Sequence, residues 1–417
     1  MKRYSLSLRL GGVLLGLMCS AAQAESLTLT QTLAAAERYS AELSANRNEA
    51  QALDAMADSA RQLPDPKLKF GIENVPVQGN NDHRLTREGM TMQRIGIMQQ
   101  YVSAEKRDRK ADTLLAEAQS VSAKSAVVRA NLQRDTAQAW LDLALSQQAL
   151  QTARKLLAET ERQQGAQRAS VGAGNAAPDS VLAFRVGLSA MRDKLTLAER
   201  DVQLAQTRLT QLTGEDVSAV SGELPRYQRL PADEKTLEQG IAQHPDIIAA
   251  ASMANSAKAR SAQSAVAAIP DVEVEVWYGR RAEGYEDMAG VMFTVDLPLF
   301  QSHRQDKDHA ADVSRTMQAN DQLALAERDH AAQLHSLIAE YNAAQTLWMR
   351  QRDEVLPLVR QRATLLAAQY RSGQSDLSAL LEARRNVLDS ELAANQAEKA
   401  MAQKWAAIRW LIPQELR

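Results

Sequence analysis

The chain has 417 residues, of which 45% are hydrophobic, 24% are charged and only 4% are aromatic, and its formal net charge is −2. This composition excludes disorder and collagen, and a single Cys excludes a disulfide-stapled scaffold. Few aromatic residues among much Ala, Leu, Gln, Arg and Glu are typical of long packed helices. The mild acidity also argues against nucleic-acid binding, which needs a concentrated basic face.

The first 24 residues have the parts of a secretory signal peptide. Basic residues precede a short apolar run, 10–18, and the small-residue site Ala22–Ala24 follows it. The run is well short of the ~20 residues that span a bilayer, so we expect cleavage before Glu25. Cys19 then leaves with the peptide; lipidation of Cys19 is the alternative, although no small residue directly precedes it. The mature chain has 49 − 3 = 46 basic and 51 acidic residues, a net charge of −5.

The mature chain is predicted to use one order of elements twice: a helix, two strands, a very long helix, a tip turn and a second long helix. We assign the first structural repeat to 25–225 and the second to 226–417. Pro357 should kink or break the very long helix of the second repeat. The predicted spans are helix 30–62, strands 67–75 and 90–101, helices 103–169 and 178–213, helix 234–267, strands 272–279 and 288–299, and helices 304–370 and 376–411.

Apolar residues in the long helices recur every seven positions, the spacing of coiled-coil seams. At ~1.5 Å per residue the longest of these helices would run to roughly 100 Å, which no compact globule accommodates. Each half therefore predicts an antiparallel helical hairpin packed along an apolar seam. The corresponding sets are Val181, Leu188, Leu195, Val202 and Leu209 with Leu380, Val387, Ala394, Met401 and Ile408, and Leu143, Leu150 and Leu157 with Tyr341, Trp348 and Val355.

Each predicted strand pair alternates apolar and polar residues, the period-two signature of a sheet with two different faces. In the strand 90–101, Met90 and Met92 are out of phase with Ile95 and Ile97, so we expect a β-bulge near Gln93. The alternation is regular in the first strand of the second pair, where the apolar set is Val272, Val274, Val276 and Tyr278.

Four strands are too few to close a barrel, which takes at least about eight. Strand pairs open to lipid would leave backbone groups unsatisfied, so membrane-crossing strands require oligomerisation, and three chains would supply a twelve-stranded barrel. The apolar set would then face lipid, and the acids Glu273, Glu275 and Asp296 would face a water-filled interior. A small soluble hairpin packed on the helices is the alternative, since period two fits it equally well.

The element order, the opening run Leu-Thr-Leu-Thr-Gln-Thr-Leu at 27–33 and the glycine-containing tips resemble the TolC family of outer-membrane efflux channels. The resemblance covers essentially the whole mature chain. A local stretch is similar to the branch that serves heavy-metal RND efflux pumps: Leu-Pro-Asp-Pro-Lys-Leu at 63–68, continued by 71–76 and 90–92.

This resemblance implies a mainly α fold with a small β part. It implies a homotrimer whose β-barrel crosses the outer membrane and whose coiled-coil α-barrel spans the periplasm. The chain would be a passive duct and not an enzyme, with no cofactor and no nucleic-acid partner. Its implied partners are a periplasmic adaptor (membrane fusion protein), an inner-membrane RND pump and outer-membrane lipid. Heavy-metal cations are the expected cargo, and drug or organic-compound efflux is the alternative.

In the family the tip turns engage the adaptor, and the periplasmic end tends to close with a tyrosine before the second tip and carboxylates after it. Tyr370 and Glu382 match these gate positions, whereas Ala379 stands where another acid is often found. Three copies of Glu382 around an axis would favour cations, although a Glu on a solvated helical face is the alternative. The matching tip residues are Val171, Gly172, Ala173 and Gly174, and Ser372, Gly373, Gln374 and Ser375.

Motifs for enzymatic chemistry are absent from the sequence. The six histidines form no His-Glu-x-x-His motif, and there is no phosphate-binding loop and no Gly-x-Ser-x-Gly elbow. Met90, Met92 and Met98 are candidate soft ligands for copper or silver, but methionine in a strand is more often an apolar contact, so we assign no metal site. Two further alternatives are a soluble periplasmic adaptor, which would show one helical hairpin, and an exported hydrolase, which would show a nucleophile.

Overall fold

The computed structural model describes residues 26–162, 179–282 and 284–411, so the predicted signal peptide 1–24 lies outside the described residues. The described chain is mainly α with a small β part, as predicted. Its elements are β1 (Ser26–Leu27), α1 (Leu29–Tyr39), α2 (Ala41–Ala60), β2 (Lys67–Glu73), β3 (Met92–Tyr101), α3 (Ala104–Glu161), α4 (Asp179–Thr213), β4 (Ala219–Val220), α5 (Glu234–Gly240), α6 (Pro245–Ala265), β5 (Val272–Arg281), β6 (Met288–Val295), α7 (Gln305–Arg350), α8 (Leu356–Arg371) and α9 (Leu377–Arg409).

Side-chain caps set where the first two helices begin. Thr28 and Gln31 form a capping box at the start of α1, and the Ser40 hydroxyl accepts a hydrogen bond from the Leu43 N–H at the start of α2. Ser40 itself has an extended backbone, with φ −65° and ψ 107°. The prediction of one helix over 30–62 is therefore wrong, because a serine that caps the next helix ends the previous one.

The long helices have the predicted scale. Helix α3 has 58 residues and so runs roughly 87 Å. Helices α7 and α8 are joined by a π-helical turn, Gln351–Val355, that ends two residues before Pro357. Proline has no N–H to donate and its ring crowds the carbonyl four residues earlier, at Asp353, so the turn widens. The predicted interruption at Pro357 is confirmed in this form.

Helices α1 to α9 pack together into one region, which we call the helical body. The heptad positions form its core. Leu143, Leu209 and Met401 are each 0% exposed. In the described part of the chain the larger buried cluster lies where α3, α4, α7 and α9 pack together, and a smaller one lies near the tip between α3, α4 and α9. The seams read from the sequence are thus the packing surfaces of the two helical hairpins.

Polar contacts that join α3, α7 and α9 to the segments packed on them were not predicted. The Trp140 Nε1–H donates to the Leu27 carbonyl at 3.0 Å, which fastens β1 and its parallel partner β4 to α3. The Tyr341 hydroxyl donates to the Tyr227 carbonyl at 2.9 Å, and the Tyr227 hydroxyl donates to Glu398 at 2.8 Å. Burial raises the pKa of Tyr341 to about 12. Burial, and then the charge of Glu398, raise the pKa of Tyr227 above its usual range.

The four longer strands form one antiparallel sheet in the order β2-β3-β5-β6. Its central pair, β3 with β5, joins the two predicted strand pairs, with Ile97 opposite Val276 and Met98 opposite Glu275. Strand β6 ends at Val295, four residues earlier than predicted. The sheet has β2 and β6 as its edges within the described residues.

Strand β3 has no bulge. Its register with both neighbours is continuous from Met92 onward, so the expectation of a bulge near Gln93 is wrong. Met90 precedes the strand, and Met92 lies on the opposite face from Ile95. The apparent phase conflict arose because both methionines were placed on the face of the isoleucines. Among the described helices, none combines the length and the apolar character needed to cross a bilayer.

Candidate functional site

One face of the four-stranded sheet carries mostly apolar side chains, and most of these are exposed. Residues paired across neighbouring strands point to the same side, so the apolar positions of all four strands form one surface, which we call the outward face. Val272 and Val274 lie on it half-buried. Its large exposed apolar members run from 46% to 81% and are Leu68, Phe70, Ile72, Ile95, Ile97, Tyr101, Val276, Tyr278, Val291, Phe293 and Val295.

The opposite face, which we call the inward face, carries paired charges. The Arg94 guanidinium lies 2.7 Å from Glu275 and 2.8 Å from Glu73, and the Lys69 ammonium lies 2.8 Å from the other oxygen of Glu275. The same guanidinium stacks over the Trp277 ring at 4.5 Å. These contacts connect β2, β3 and β5 through charged hydrogen bonds. Sequence reasoning missed Arg94 and Lys69; their signal was basic residues alternating with apolar ones in the predicted strands.

The three acids predicted to face the interior have different surroundings. Glu275 is buried on the inward face and neutralised by its two basic partners, so it presents no free negative charge. Glu273 lies on the same face, opposite Gln100 and Thr294, and is half-buried. Asp296 follows the end of β6 and is exposed. The inward face is thus mixed in charge rather than acidic.

The candidate methionines do not form one group. Met90 is 60% exposed and precedes β3, whereas Met92 and Met98 are buried on the inward face of that strand. Met92 and Met98 are six residues apart in one strand, roughly 20 Å. One metal ion therefore cannot be held by both sulfur atoms within this strand.

The second helical tip is an ordered turn between α8 and α9. Gly373 has φ +74°, a conformation that favours glycine, and a side chain there would meet no atom within 4 Å. The Gln374 N–H donates to the Gln369 carbonyl at 2.8 Å and closes the end of α8. Asp376 caps α9 by accepting from the Ala379 N–H at 2.8 Å, and these hydrogen bonds lower the pKa of its carboxyl.

The predicted contact and gate residues have the following places. Ser372, Gly373 and Gln374 are exposed at the turn and Ser375 is half-buried, whereas the first tip, 171–174, lies outside the described residues. Tyr370 is half-buried at the end of α8 against the smaller cluster, and Glu382 is exposed on α9. The residues of the second turn are therefore mostly accessible to solvent, and the end of α8 behind them packs against the smaller cluster.

A basic cavity of about 590 Å³ lies above the tip and was not predicted from the sequence. It is lined by parts of α3, α8 and α9, including Arg360, Arg371 and Arg384. Arg384 is half-buried, and that burial lowers the pKa of its guanidinium. Arg360 pairs with Glu391 across the hairpin of α8 and α9. The cavity is thus a gap between helices with a charged lining.

Solved structures with the same fold are outer-membrane proteins. The chain is similar to CusC, described for its folding and transmembrane channel formation, with TM-score 0.75 and 14% identity over 93% of this chain and 92% of that one. It is similar to the outer membrane protein VceC of Vibrio cholerae (0.72, 17%, 92% and 95%) and to the open MtrE outer membrane channel of Neisseria gonorrhoeae (0.69, 14%, 95% and 94%). No family model and no curated protein matches the sequence.

These likenesses extend over nearly the full length of each partner, so they concern the whole architecture and not one helical hairpin. At 14–17% identity they show that the chain shares the fold of those proteins. The long helices, the two hairpins and the small sheet are arranged as in those proteins. The chain has the fold of the TolC-type outer-membrane efflux channels.

Proposed function

We propose that this chain is the outer-membrane channel component of a tripartite RND-type efflux system. It is a passive duct that leads substrates from the periplasm and the pump to the exterior. The mature chain begins at Glu25, and two structural repeats, 25–225 and 226–417, build it. Heavy-metal cations are the proposed cargo.

The outward face is the observation that carries this proposal. An apolar surface of this extent is stable in contact with lipid or with another protein, not with water. The inward face is polar and charged, and strands that cross an outer membrane alternate in this way between lipid and a water-filled interior. Phe70 and Phe293, 81% and 67% exposed, stand at opposite edges of the sheet, so the whole width of the face needs cover.

The edges of the sheet support a homotrimer. Strands β2 and β6 have unpaired outer edges in the described chain, and backbone groups in lipid need partners. Three copies joined with β6 of one against β2 of the next give twelve strands and leave no edge. The long helices of three chains then continue the conduit across the periplasm to an adaptor and an inner-membrane pump.

The detergent-purified mature protein tests this proposal through its mass and its conductance in a planar bilayer. We expect a particle of three chains that gives channel events. A water-soluble monomer without conductance would overturn the proposal and favour the soluble adaptor. In that case the outward face would have to be a protein-binding surface.

The cargo is tested separately in a host strain with and without this chain. Heavy-metal efflux predicts that loss of the chain lowers tolerance to metal salts and leaves tolerance to organic drugs unchanged. The opposite pattern would support the alternative, efflux of drugs or organic compounds. The resemblance at 63–68 covers a short stretch of the chain. It supports only the proposal that the cargo is a heavy-metal cation.

The second tip is proposed to dock the adaptor. Replacing Gly373 with Val puts a β-branched residue at φ +74°, which distorts the turn and should weaken adaptor binding without unfolding the sheet. The matched control is Gly373→Asn, because Asn tolerates this conformation and should retain binding. Pull-down of the adaptor measures the difference. Equal binding by both variants would remove the tip from the interface.

A further inference from the structure

A cluster of two histidines and one aspartate lies in the helical body, apart from the sheet and the tip. His244 precedes α6, Asp246 is in the first turn of that helix, and His330 is in the middle of α7. His330 lies 25 residues into α7, roughly 37 Å from the sheet end of the helix. One ligand atom from each of the three residues lies within 4.8 Å of the others.

The distances within this cluster match those around one tetrahedral metal ion. Oδ2 of Asp246 lies 3.3 Å from Nε2 of His330 and 3.5 Å from Nδ1 of His244. Ligands bound at 2.0–2.1 Å in tetrahedral geometry are separated from each other by roughly 3.3 Å. A cation between these atoms thus reaches the carboxylate and either ring at normal bond lengths.

The hydrogen bonds of the two rings bear on which nitrogens can bind a cation. Nδ1 of His244 accepts a hydrogen bond from the backbone N–H of Asp246 at 3.2 Å, so that nitrogen carries no proton. Nδ1 of His330 lies 3.0 Å from Oε1 of Gln333, and Nε2 lies 3.3 Å from Oδ2 of Asp246, so either nitrogen of the neutral ring has an oxygen to donate to. The tautomer with the proton on Nδ1 presents the lone pair of Nε2 to the cluster. A metal ion on Nδ1 of His244 takes the lone pair that accepts from the Asp246 N–H, so metal binding replaces this hydrogen bond.

We propose that His244, Asp246 and His330 form a site for a divalent transition-metal ion of the zinc class. Two imidazoles and a carboxylate suit Zn²⁺, Cu²⁺ or Ni²⁺, whereas Ca²⁺ and Mg²⁺ prefer oxygen ligands alone. The site joins the start of α6 to α7. It does not rest on the proposed efflux function, since none of its residues belongs to the sheet or the tip.

The site has room for a fourth ligand. His244 and His330 line a cavity of about 330 Å³ whose remaining wall is largely apolar, with Leu237 and Ile408 among its residues. Arg409 also lines this cavity, and a cation in the wall favours water, hydroxide or chloride as the fourth ligand.

Binding requires the two rings to part. They are stacked with centroids 3.9 Å apart and an interplanar angle of 25°. Two imidazoles on one tetrahedral ion have centroids roughly 5 Å apart, given bonds of 2.0–2.1 Å.

Titration of the full mature chain, purified in detergent and stripped with EDTA, tests this site with Co²⁺ as the probe and Zn²⁺ as the competitor. We expect one Co²⁺ per chain with the intense visible bands of tetrahedral coordination, and their loss when Zn²⁺ is added. His330→Gln and Asp246→Asn should each lower the affinity by more than about tenfold. His335→Gln is the matched control, since His335 is exposed on the same helix, and it should bind as the unaltered chain does.

Thermal unfolding followed by far-UV circular dichroism separates a lost ligand from a lost fold. In EDTA all four proteins should melt together, and Zn²⁺ should raise the midpoint of the unaltered chain and the His335 variant alone. Asp246 is partly exposed, so its variant remains informative if the His330 variant misfolds. Absence of the tetrahedral bands, or equal Co²⁺ affinity in all four proteins, would overturn the proposal.

Discussion

The helical body and the sheet treat apolar side chains in opposite ways. In the helical body Leu209 and Leu388 are 0% exposed, because another helix of the same chain covers them. In the sheet Phe70 is 81% exposed and Phe293 is 67% exposed, and no second layer of the described chain covers the outward face. Hydrophobic burial thus stabilises the first region within one chain, whereas the second depends on lipid or on another molecule.

This difference divides the molecule into a part that stabilises itself and a part stabilised by its surroundings. Stabilisation within the sheet comes from the charged network on the inward face, in which Arg94 and Lys69 pair with Glu275 across three strands. A single-layer sheet of four strands has no core beyond such contacts. Substitutions should therefore act through packing in the helices and through the membrane in the strands.

The largest expected effect is loss of a core leucine in the helical body. Leu209→Ala removes a fully buried side chain from the larger cluster and should cost about 2–5 kcal/mol of unfolding free energy. Leu204→Ala is the matched control on the same helix, because Leu204 is 61% exposed in the single chain. Denaturant midpoints followed by circular dichroism measure both. Equal losses would mean that Leu204 is also covered, as by a second chain.

A charge on the outward face should have nearly as large an effect, but only on the membrane-bound form. Val276→Lys should cost about 2–4 kcal/mol for a position near the bilayer centre and reduce outer-membrane assembly. Thr294→Lys places the same charge on the inward face of the neighbouring strand and should be tolerated. Fractionation of membranes and the helical content of the purified variants measure the two effects. Normal assembly of the Val276 variant would show that lipid does not cover this face.

Two glutamates, one in each region, are expected to differ in their effect on the ion preference of the channel. Glu382 is exposed on α9, whereas Glu275 is neutralised by Arg94 and Lys69. Glu382→Gln should lower the cation preference of bilayer conductance, and Glu275→Gln should leave it nearly unchanged while weakening the sheet, because it removes the charge that pairs with both Lys69 and Arg94. Reversal potentials under a salt gradient report the preference. A larger shift from Glu275→Gln would exchange the proposed roles.

The regular parts of the fold could be predicted because they follow periodic rules. Heptad spacing located the buried seams at residues such as Leu143 and Met401, and period-two alternation located the strands. Propensity does not register a competing cap, so the division of the first helix at Ser40 was missed. The phase of β3 was misjudged because methionines suit a buried polar face as well as an apolar one.

Contacts between distant segments could not be read from spacing. The stacked pair of His244 and His330 comes from two helices, 86 residues apart in sequence, and no short motif joins them. The ion pair of Lys69 with Glu275 likewise depends on β3 lying between β2 and β5. The sequence indicated a strand pair in each half and a common barrel, but not the register that brings Lys69 to Glu275.

The smallest expected effect concerns the buried hydroxyl of Tyr341 in the helical body. Tyr341→Phe removes the hydrogen bond to the Tyr227 carbonyl and should cost about 1 kcal/mol at pH 8. Burial raises the pKa of Tyr341 to about 12, whereas an unfolded tyrosine ionises near 10. The unfolded state therefore binds fewer protons between these values, so the contribution of Tyr341 is complete below pH 10 and is lost as the pH rises toward 12.

Phenylalanine has no such dependence, so the stability difference between the two proteins should close near pH 11. Denaturant midpoints of both proteins between pH 8 and 11 measure this gap. A gap that stays constant would show that Tyr341 ionises equally in both states and that its hydroxyl is reached by water. A gap that closes would instead show that helices of the same chain shield the Tyr341 hydroxyl from water. This part of the helical body then needs no membrane to cover it.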